Sequence, residues 1–296
     1  MKLGVITDCF KKPLDESIVL AGKMGFDGVQ IYATSGTFSP EVLTEETKAY
    51  YKKLLKDNNL VVSALCGDMG GHGFEIEADN AERIEKTKKI VDLAVEFGAG
   101  VVTTHIGVIP ADAREDKYRV MFKALQECGA YAREKGVMLA IETGPENANV
   151  LHRFVSDISD TMKVERRNFD IKHLSGGVCV NLDPANFIMV TDQDPTAAVK
   201  LLGNYVVHTH LKDGKKLRKI DPKVVYDHFA EGGIEALNVA DYFIETPLGE
   251  GNVNWKQYIQ TLKDVGYKGF LTIERETGED PIADIQKGLD FIKGIL

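Results

Sequence analysis

The sequence predicts an α/β fold, a (β/α)₈ barrel of the TIM type in a single domain. Short apolar runs alternate with amphipathic segments along the 296 residues, and eight such pairs are found. Strands that alternate with helices pair in parallel through right-handed crossovers, and eight units close into a barrel. Several apolar runs also end on a carboxylate or an imidazole, which is typical of the catalytic end of such a barrel. We therefore expect one domain over residues 1–296.

Proline, glycine and capping residues support the predicted units of the first half. Pro13 and Gly25 bracket the first helix, because proline suits a helix start and glycine its end. Asp79 or Asn80 is expected to cap the third helix, and Gly98 to end it in a left-handed conformation. The predicted strands are 3–7, 28–32, 61–65 and 101–105, and the helices are 14–24, 42–57, about 79–97 and 116–135.

The second half continues the alternation with one long interruption. Strands are predicted at 137–142, 178–182, 206–211 and 270–274, and helices at about 152–164, after Pro195, at 255–265 and at 281–295. Residues 214–251, between strands seven and eight, are too many for an ordinary βα loop. They contain a basic run at 215–219 and a short helix near 224–230. This insertion is interpreted as a lid, a subunit contact or a docking surface, with a solvated loop as the alternative.

Polar residues at four strand ends form the candidate site. Glu142, Asp183, His210 and Glu274 end strands five, six, seven and eight. The carboxyl ends of neighbouring strands lie about 4.8 Å apart on one rim of a barrel, so these side chains are expected to converge. Three carboxylates and an imidazole favour Mn²⁺, with Mg²⁺, Co²⁺ or Zn²⁺ as alternatives. An internal ion-pair network without metal is the competing interpretation.

Several segments resemble the sugar phosphate isomerase/epimerase family, the xylose-isomerase-like TIM barrels. The family includes ketose 3-epimerases, inosose dehydratases, hydroxypyruvate isomerases and 3-dehydroshikimate dehydratases, and its two glutamates, aspartate and histidine correspond to the four residues above. Ketose 3-epimerases usually have histidine where this chain has Asn186 and arginine where it has Lys216. The segments that carry the resemblance are Glu142-Thr-Gly-Pro-Glu146, Leu182-Asp-Pro-Ala-Asn186, His208-Thr-His-Leu-Lys-Asp213, Gly249-Glu-Gly-Asn-Val-Asn-Trp255 and Thr272-Ile-Glu274.

The resemblance and the site residues together predict a divalent-metal-dependent isomerase or epimerase of a ketose, another sugar or a cyclitol. Glu142 and Glu274 are predicted to be the catalytic acid and base, moving a proton through a metal-stabilised enediolate. A metal-dependent dehydratase of the inosose or 3-dehydroshikimate type is the second interpretation, since it shares the first step. A non-catalytic barrel subunit of a larger complex is the third.

Other polar residues near the strand ends are predicted to bind substrate: His105, Asn186, Lys212 and His72. His208 and His210 share one strand face, and His208 is expected to orient a ligand. The alternatives are a buried structural histidine for His105, a solvent-exposed one for His72, and a Schiff-base nucleophile for Lys212.

Composition limits the partners. The formal charge of −9 argues against nucleic acid and a polybasic membrane patch. The four cysteines form no CxxC pair, the N-terminus does not read as a secretory signal, and no apolar run approaches about 20 residues. A soluble, cytoplasmic protein is expected, and the resemblance implies a homodimer or homotetramer. No P-loop or GxGxxG follows a strand, so a nucleotide cofactor is not indicated.

Overall fold

The strands of the molecule lie close to their predicted positions. The computed structural model describes residues 1–165, 177–231 and 237–296. In these residues the strands are β1 (Lys2–Ile6), β2 (Gly28–Tyr32), β3 (Val61–Cys66), β4 (Val101–Thr104), β5 (Met138–Glu142), β6 (Val178–Leu182), β7 (Val206–Leu211), β8 (Asp213–Lys216), β9 (Phe243–Thr246) and β10 (Phe270–Ile273). Eight of them close into a parallel barrel in the order β1-β2-β3-β4-β5-β6-β7-β10, which confirms the predicted fold class.

Helices follow the barrel strands. They are α1 (Leu14–Met24), α2 (Glu45–Asp57), α3 (Glu77–Glu96), α4 (Asp116–Glu134), α5 (Ala148–Glu165), α6 (Pro184–Asn186), α7 (Pro195–Leu202), α8 (Pro222–Ala230), α9 (Trp255–Asp264) and α10 (Pro281–Lys293). Helices α7 and α10 each begin with an aspartate cap followed by proline at the first helical position. Proline suits this position because its missing N–H would have no partner within the helix.

Three predicted helix starts were wrong, those of α2, α3 and α5, and α5 begins at Ala148 rather than near residue 152. Helix α2 begins at Glu45 because Thr44 caps it, with the Thr44 and Thr47 side chains each accepting from the other's backbone N–H. Helix α3 begins at Glu77, so neither Asp79 nor Asn80 is its cap. The Asn80 amide instead donates to the carbonyl of Phe74 at 3.1 Å. The predicted end of α3 was right, since Gly98 has a φ of +71°.

The barrel strands separate an apolar layer from a polar interior. Leu139, Val180 and Leu211 belong to one continuous apolar cluster with Phe154 and Tyr258 of the surrounding helices. Alternate positions carry polar side chains that face the interior and form hydrogen bonds across strands. They are Gln30, Thr103, Asn181, His208, His210 and Thr272. The strand register sets Asn181 beside both Glu142 and His208, and His210 beside Thr272. The ends of β5, β6, β7 and β10 are therefore adjacent.

The insertion between β7 and β10 contains a hairpin and a helix. The seventh strand ends at Leu211 as predicted, but residues 213–216, where the insertion was expected to begin as a loop, form β8, which pairs antiparallel with β9. The predicted short helix is confirmed as α8, capped by Asp221. Residues 232–236 of the insertion lie outside the described residues.

Asp213 joins the two ends of this insertion. Its buried carboxylate accepts from the backbone N–H of Gly214 at 2.9 Å, Gly249 at 3.0 Å, Gly251 at 3.1 Å and Val253 at 3.2 Å. It also accepts from the Trp255 indole N–H at 2.8 Å. One carboxylate thus fixes where the insertion leaves and re-enters the barrel.

None of the helices in the described ranges combines the length and the apolar character that crossing a membrane requires.

Candidate metal centre

Four side chains from neighbouring strand ends meet at the mouth of the barrel. Glu142 ends β5, Asp183 follows β6, His210 lies in β7 and Glu274 follows β10. All four side chains are buried, and one ligand atom from each lies within 4.8 Å of the others. No other such group of histidine, cysteine, aspartate or glutamate is found in the part of the chain that the structure describes.

Three atoms of this cluster are buried without a hydrogen-bond partner: Oδ2 of Asp183, Nδ1 of His210 and Oε2 of Glu274. His210 Nδ1 is 2.7 Å from Glu274 Oε2 and 3.3 Å from Glu142 Oε1, although neither contact has hydrogen-bond geometry. Buried polar atoms are costly when they lack a partner, and a cation among them would remove that cost. The oxygen and imidazole donors suit a divalent ion. The residues therefore fit the metal that the sequence predicts.

The second polar atom of each cluster residue is held by the protein. Asp183 Oδ1 accepts from the backbone N–H of Ala185 at 2.7 Å, as the cap of α6. Glu142 Oε2 accepts from Asn181 at 3.2 Å, and Glu274 Oε1 from Lys212 at 3.2 Å. These bonds leave the remaining atom of each residue directed to the others.

His210 is oriented through its far ring nitrogen. Its Nε2 lies 3.2 Å from Oε1 of Gln30, whose amide nitrogen donates to Thr103 Oγ1 at 3.2 Å. Nε2 also lies 3.1 Å from the amide nitrogen of Asn181. When Nε2 carries the only ring proton, it donates that proton to Gln30 and Nδ1 keeps its lone pair; a bound cation would favour this neutral form over the imidazolium. A histidine ligand in a metal site is usually held in this way.

His208 supports the cluster indirectly, through Asn181. Its Nδ1 is 2.9 Å from Asn181 Oδ1, and its Nε2 is 3.0 Å from Thr272 Oγ1. Burial, together with the charge of His210, holds the pKa of His208 well below its usual value, so the ring is neutral. It can then donate to Asn181 and accept from Thr272.

Burial and like charges set the protonation of the cluster. Burial raises the pKa of Asp183 to about 8, with the charges of Glu274 and Glu142 adding to the effect. Burial also opposes ionisation of Glu274, but Lys212 and His210 outweigh it and lower the pKa of that carboxyl. For His210, burial is outweighed by Glu142 and Glu274, which raise its pKa. Three carboxylates in one buried site thus favour a nearby positive charge.

Lys212 lies between two carboxylates. Its ammonium contacts Glu274 and Glu276, and its side chain is buried. Burial alone would lower its pKa, but the charges of Glu274 and Glu276 raise it well above the usual value. An amine held as an ammonium is a poor nucleophile, which argues against the Schiff-base alternative.

The other predicted site residues lie in different settings. His105 is close to the cluster, with Nε2 3.8 Å from Glu142 Oε1 and Nδ1 3.0 Å from Asp68 Oδ2. Burial lowers the pKa of His105, but the charges of Glu142 and Asp68 outweigh it and raise the value to about 10. Asn186 donates its amide to the carbonyl of Thr143 at 3.0 Å.

His72 lies farther along the loop after β3, where its backbone carbonyl accepts from the N–H of Glu75 at 3.1 Å. It is half-buried rather than fully exposed. Its role stays a prediction.

The sequence-based interpretation missed residues that hold the cluster in place. Asn181 lies two positions before Asp183 and so shares its strand face, while Gln30 is a single polar residue inside the apolar β2. Strand alternation and the cost of burying an amide would have identified both. Asp68 and Tyr226 come from loops and an insertion, where no periodic pattern points to the site.

A cavity of about 340 Å³ opens beside Glu274. It is lined by Tyr32 at the end of β2 and by residues from the loops after β1, β2 and β10, including Asp8, Cys9, Thr37, Phe38 and Glu276. Such a mixture of apolar and hydroxyl-bearing side chains is suitable for a small polar molecule.

Residues 18–295 match the family model for the xylose isomerase-like TIM barrel. L-ribulose-5-phosphate 3-epimerase UlaE of Escherichia coli (strain SMS-3-5 / SECEC) is 24% identical over 289 residues, covering 94% of this chain and 88% of the relative. A xylose isomerase domain protein from Planctomyces limnophilus is similar in structure, with 24% identity, a TM-score of 0.74 and coverage of 99% and 96% of the two chains.

A xylose isomerase-like TIM barrel protein from Mycobacterium smegmatis was solved in complex with magnesium. It is 17% identical to this chain, has a TM-score of 0.69 and aligns over 99% of this chain and 96% of its own. At these identities the structural likeness shows the shared fold.

Proposed function

The chain belongs to the xylose isomerase-like TIM barrel family, and from that premise we propose that it is a divalent-metal-dependent isomerase or epimerase of a ketose, another sugar or a cyclitol. The observation that carries the proposal is the convergence of unpartnered Asp183, His210 and Glu274 atoms, with Glu142 beside them. An ion pair between His210 Nδ1 and Glu274 Oε2, which are 2.7 Å apart, would still leave the buried Oδ2 of Asp183 without a partner.

Glu142, Asp183, His210 and Glu274 would hold the ion, and Mn²⁺ is the ion that we expect. A bound divalent cation would draw electron density from two adjacent substrate oxygens and so acidify the neighbouring C–H. His210 contributes a neutral imidazole when its Nε2–H is donated to Gln30. Asp183 contributes Oδ2, while Oδ1 remains the cap of α6.

Glu142 and Glu274 are proposed to transfer the proton. Each has one oxygen held by a neighbour, Asn181 or Lys212, and its other oxygen close to His210 Nδ1. Of two such groups on either side of one substrate carbon, the carboxylate can remove the proton from its face while the other, present as the carboxylic acid, returns a different proton to the carbon skeleton. Return to the opposite face epimerises the carbon, and return to the adjacent carbon isomerises the sugar. Loss of a β-hydroxyl instead would be dehydration.

We further propose that Lys212 and His105 bind substrate oxygens beside these carboxylates. Both side chains carry a donor close to the cluster, since Lys212 contacts Glu274 and His105 lies 3.8 Å from Glu142. Asn186 and His72 are proposed as contacts from the surrounding loops.

The first test is proton exchange at a substrate carbon. The Mn²⁺-loaded protein is incubated in D₂O with a panel of ketoses, their phosphates and inososes, and deuterium entry is followed by NMR. L-ribulose 5-phosphate belongs in the panel, because the E. coli relative is named for it. We expect deuterium at one carbon of one panel member. Glu142→Gln and Glu274→Gln should each slow this exchange by about 100-fold or more, because each removes a proton-transferring group.

Glu46→Gln is the matched control, since Glu46 is an exposed glutamate in the first turn of α2. It should exchange at the wild-type rate. An unsaturated product that lacks one water would replace the isomerase assignment with the dehydratase one. Absence of exchange with every panel member, in a protein shown to contain metal, would contradict the proposal.

A further inference from the structure

The insertion helix α8 brings an aromatic side chain, Tyr226, to the mouth of the barrel. A Cβ placed on Gly144, two residues beyond Glu142, would collide with the Tyr226 hydroxyl oxygen. The Tyr226 ring is 6.2 Å from the His105 ring, measured between centroids. The phenol therefore lies over the loop that begins at Glu142.

Apolar contacts hold Tyr226 in this position. Its ring packs against a small buried cluster, separate from the main core, formed by Ala185, Met189 and Val190. Ala185 is two residues beyond Asp183, so the ring lies between the ends of β5 and β6. Packing explains the ring, and a phenylalanine would satisfy it equally well. It does not explain the hydroxyl.

The hydroxyl lies near the acidic groups of the site. In the part of the chain that the structure describes, the contacts found for Tyr226 are those of its ring with His105 and with the Ala185 cluster, and no hydrogen bond from its hydroxyl is found. Burial raises the pKa of this phenol, and the charges of Glu146, Glu142 and Asp183 raise it further. The group is therefore a protonated donor at the rim of the cluster. Gly144 leaves the space that the hydroxyl occupies.

We propose that Tyr226 contacts the substrate, donating a hydrogen bond to a hydroxyl or carbonyl oxygen of a polyhydroxylated ketone held at the cluster. This inference rests on the proposed function and extends it. The insertion supplies part of the binding site, and its helix α8 acts as a cover that carries one donor. The residue lies about 80 positions from Glu142 in sequence and is brought to it by the path of the insertion.

Tyr226→Phe removes the hydroxyl and keeps the ring. We expect kcat/KM for the responsive sugar to fall about five- to tenfold, which is the usual effect of losing one neutral hydrogen bond. The dissociation constant for an unreactive alditol, sorbitol or xylitol, measured by calorimetry on the metal-loaded protein, should rise by a similar factor. Metal content should not change. The matched control is Tyr50→Phe, which removes the same hydroxyl from an exposed residue of α2.

Gly144→Ala tests the same contact from the other side. The added methyl group would displace the Tyr226 hydroxyl without changing any of the four cluster residues. We expect Gly144→Ala to weaken alditol binding in the wild-type background and to have little further effect in a Tyr226→Ala background. Such coupling is what a double-mutant cycle detects between residues in contact.

The outcomes separate the two proposals. A wild-type protein that exchanges no substrate proton and binds no alditol contradicts the proposed function and, with it, the contact. An active wild type whose Tyr226→Phe variant matches Tyr50→Phe in both kcat/KM and alditol affinity refutes the contact alone. Loss of metal in Tyr226→Phe would also refute it, because it would assign the residue a role in building the cluster.

Discussion

Glu146 is a buried carboxyl just outside the four-residue cluster. Its side chain is 6% exposed. Burial raises its pKa from an ordinary 4.5 to about 8, with its own backbone N–H and the charge of His105 opposing the rise only in part. The folded protein therefore retains a proton that the unfolded chain releases.

The pH dependence of stability follows from that shift. Below about pH 4.5 both states hold the proton, and this residue costs nothing. Between about pH 4.5 and about pH 8 the unfolded chain has released this proton and the folded protein keeps it, so folding must take up a proton from solution. The free energy of unfolding therefore falls as the pH rises through this range. We expect the free energy of unfolding to fall by up to about 1.4 kcal/mol per pH unit relative to Glu146→Gln. Urea unfolding of both proteins at pH 5 to 8 measures the difference.

Glu46→Gln serves as the control in this series, since that exposed glutamate should leave the pH profile unchanged. A Glu146→Gln profile parallel to the wild-type one over the whole range would refute the assignment.

Single residues explain why the four strand ends were identified from the sequence while the residues that support them were overlooked. Each predicted ligand is a charged or imidazole group at the end of an apolar strand, which is visible in the sequence. Asn181 is neutral and lies inside β6, and Gln30 lies inside β2, so neither marks a strand end. Asn186, predicted to bind substrate, is half-buried and uses its amide on the Thr143 carbonyl, a contact that depends on how two loops meet.

Among the elements, the insertion depends on one carboxylate. Asp213 accepts hydrogen bonds from backbone N–H groups at both ends of the insertion and from the indole N–H of Trp255. An asparagine there would retain one acceptor oxygen and turn an NH₂ group toward N–H donors. We expect Asp213→Asn to lower the free energy of unfolding by roughly 2–3 kcal/mol, because buried donors lose a charged acceptor. Urea denaturation followed by tryptophan fluorescence is the measurement, since Trp255 is the single tryptophan.

The comparison for this variant is Asp79→Asn, an exposed aspartate in the first turn of α3. It should change the unfolding free energy by about 0.5 kcal/mol or less. Equal stabilities of the two variants would contradict the role assigned to Asp213.

The elements differ in how well local sequence predicts them. The barrel strands and most helices follow from apolar periodicity and from prolines and glycines at their ends. The hairpin of β8 and β9 does not, because Asp213–Lys216 is polar and its partner lies some 30 residues away. The start of α3 was missed for a related reason. Asn80 is of a type that often caps helices, but it lies inside the first turn of α3 and its amide donates to the carbonyl of Phe74, which precedes the helix.

At the scale of the whole molecule, closure of the barrel concentrates negative charge. The chain carries a formal charge of −9, and three buried carboxylates, those of Glu142, Asp183 and Glu274, meet at one end of the barrel. Residues more than 130 positions apart in the chain are adjacent only once β10 has paired with β7. The four side chains are therefore brought together only in the folded protein, and a cation would bind to the folded protein in preference to the unfolded chain.

Removing the metal should lower the melting temperature. A ligand that binds only the folded chain contributes about 2.7 kcal/mol at 100 times its dissociation constant, which corresponds to roughly 5–10 °C for a chain of this size. Differential scanning calorimetry before and after dialysis against a chelator, and after Mn²⁺ is restored, measures the change. Asp183→Asn keeps the oxygen that caps α6 and should lose the metal-dependent increment. Identical melting with and without Mn²⁺ would refute a stabilising ion.

The most direct test is the metal content of the purified protein. Elemental analysis of the wild type after loading with Mn²⁺ and removal of free ion should give one divalent ion per chain. Asp183→Asn should retain far less, because it replaces the unpartnered Oδ2 by an amide that cannot bind a cation. No stoichiometric ion in the wild type, or an equal content in the variant, would contradict the assignment of these four side chains as a metal centre.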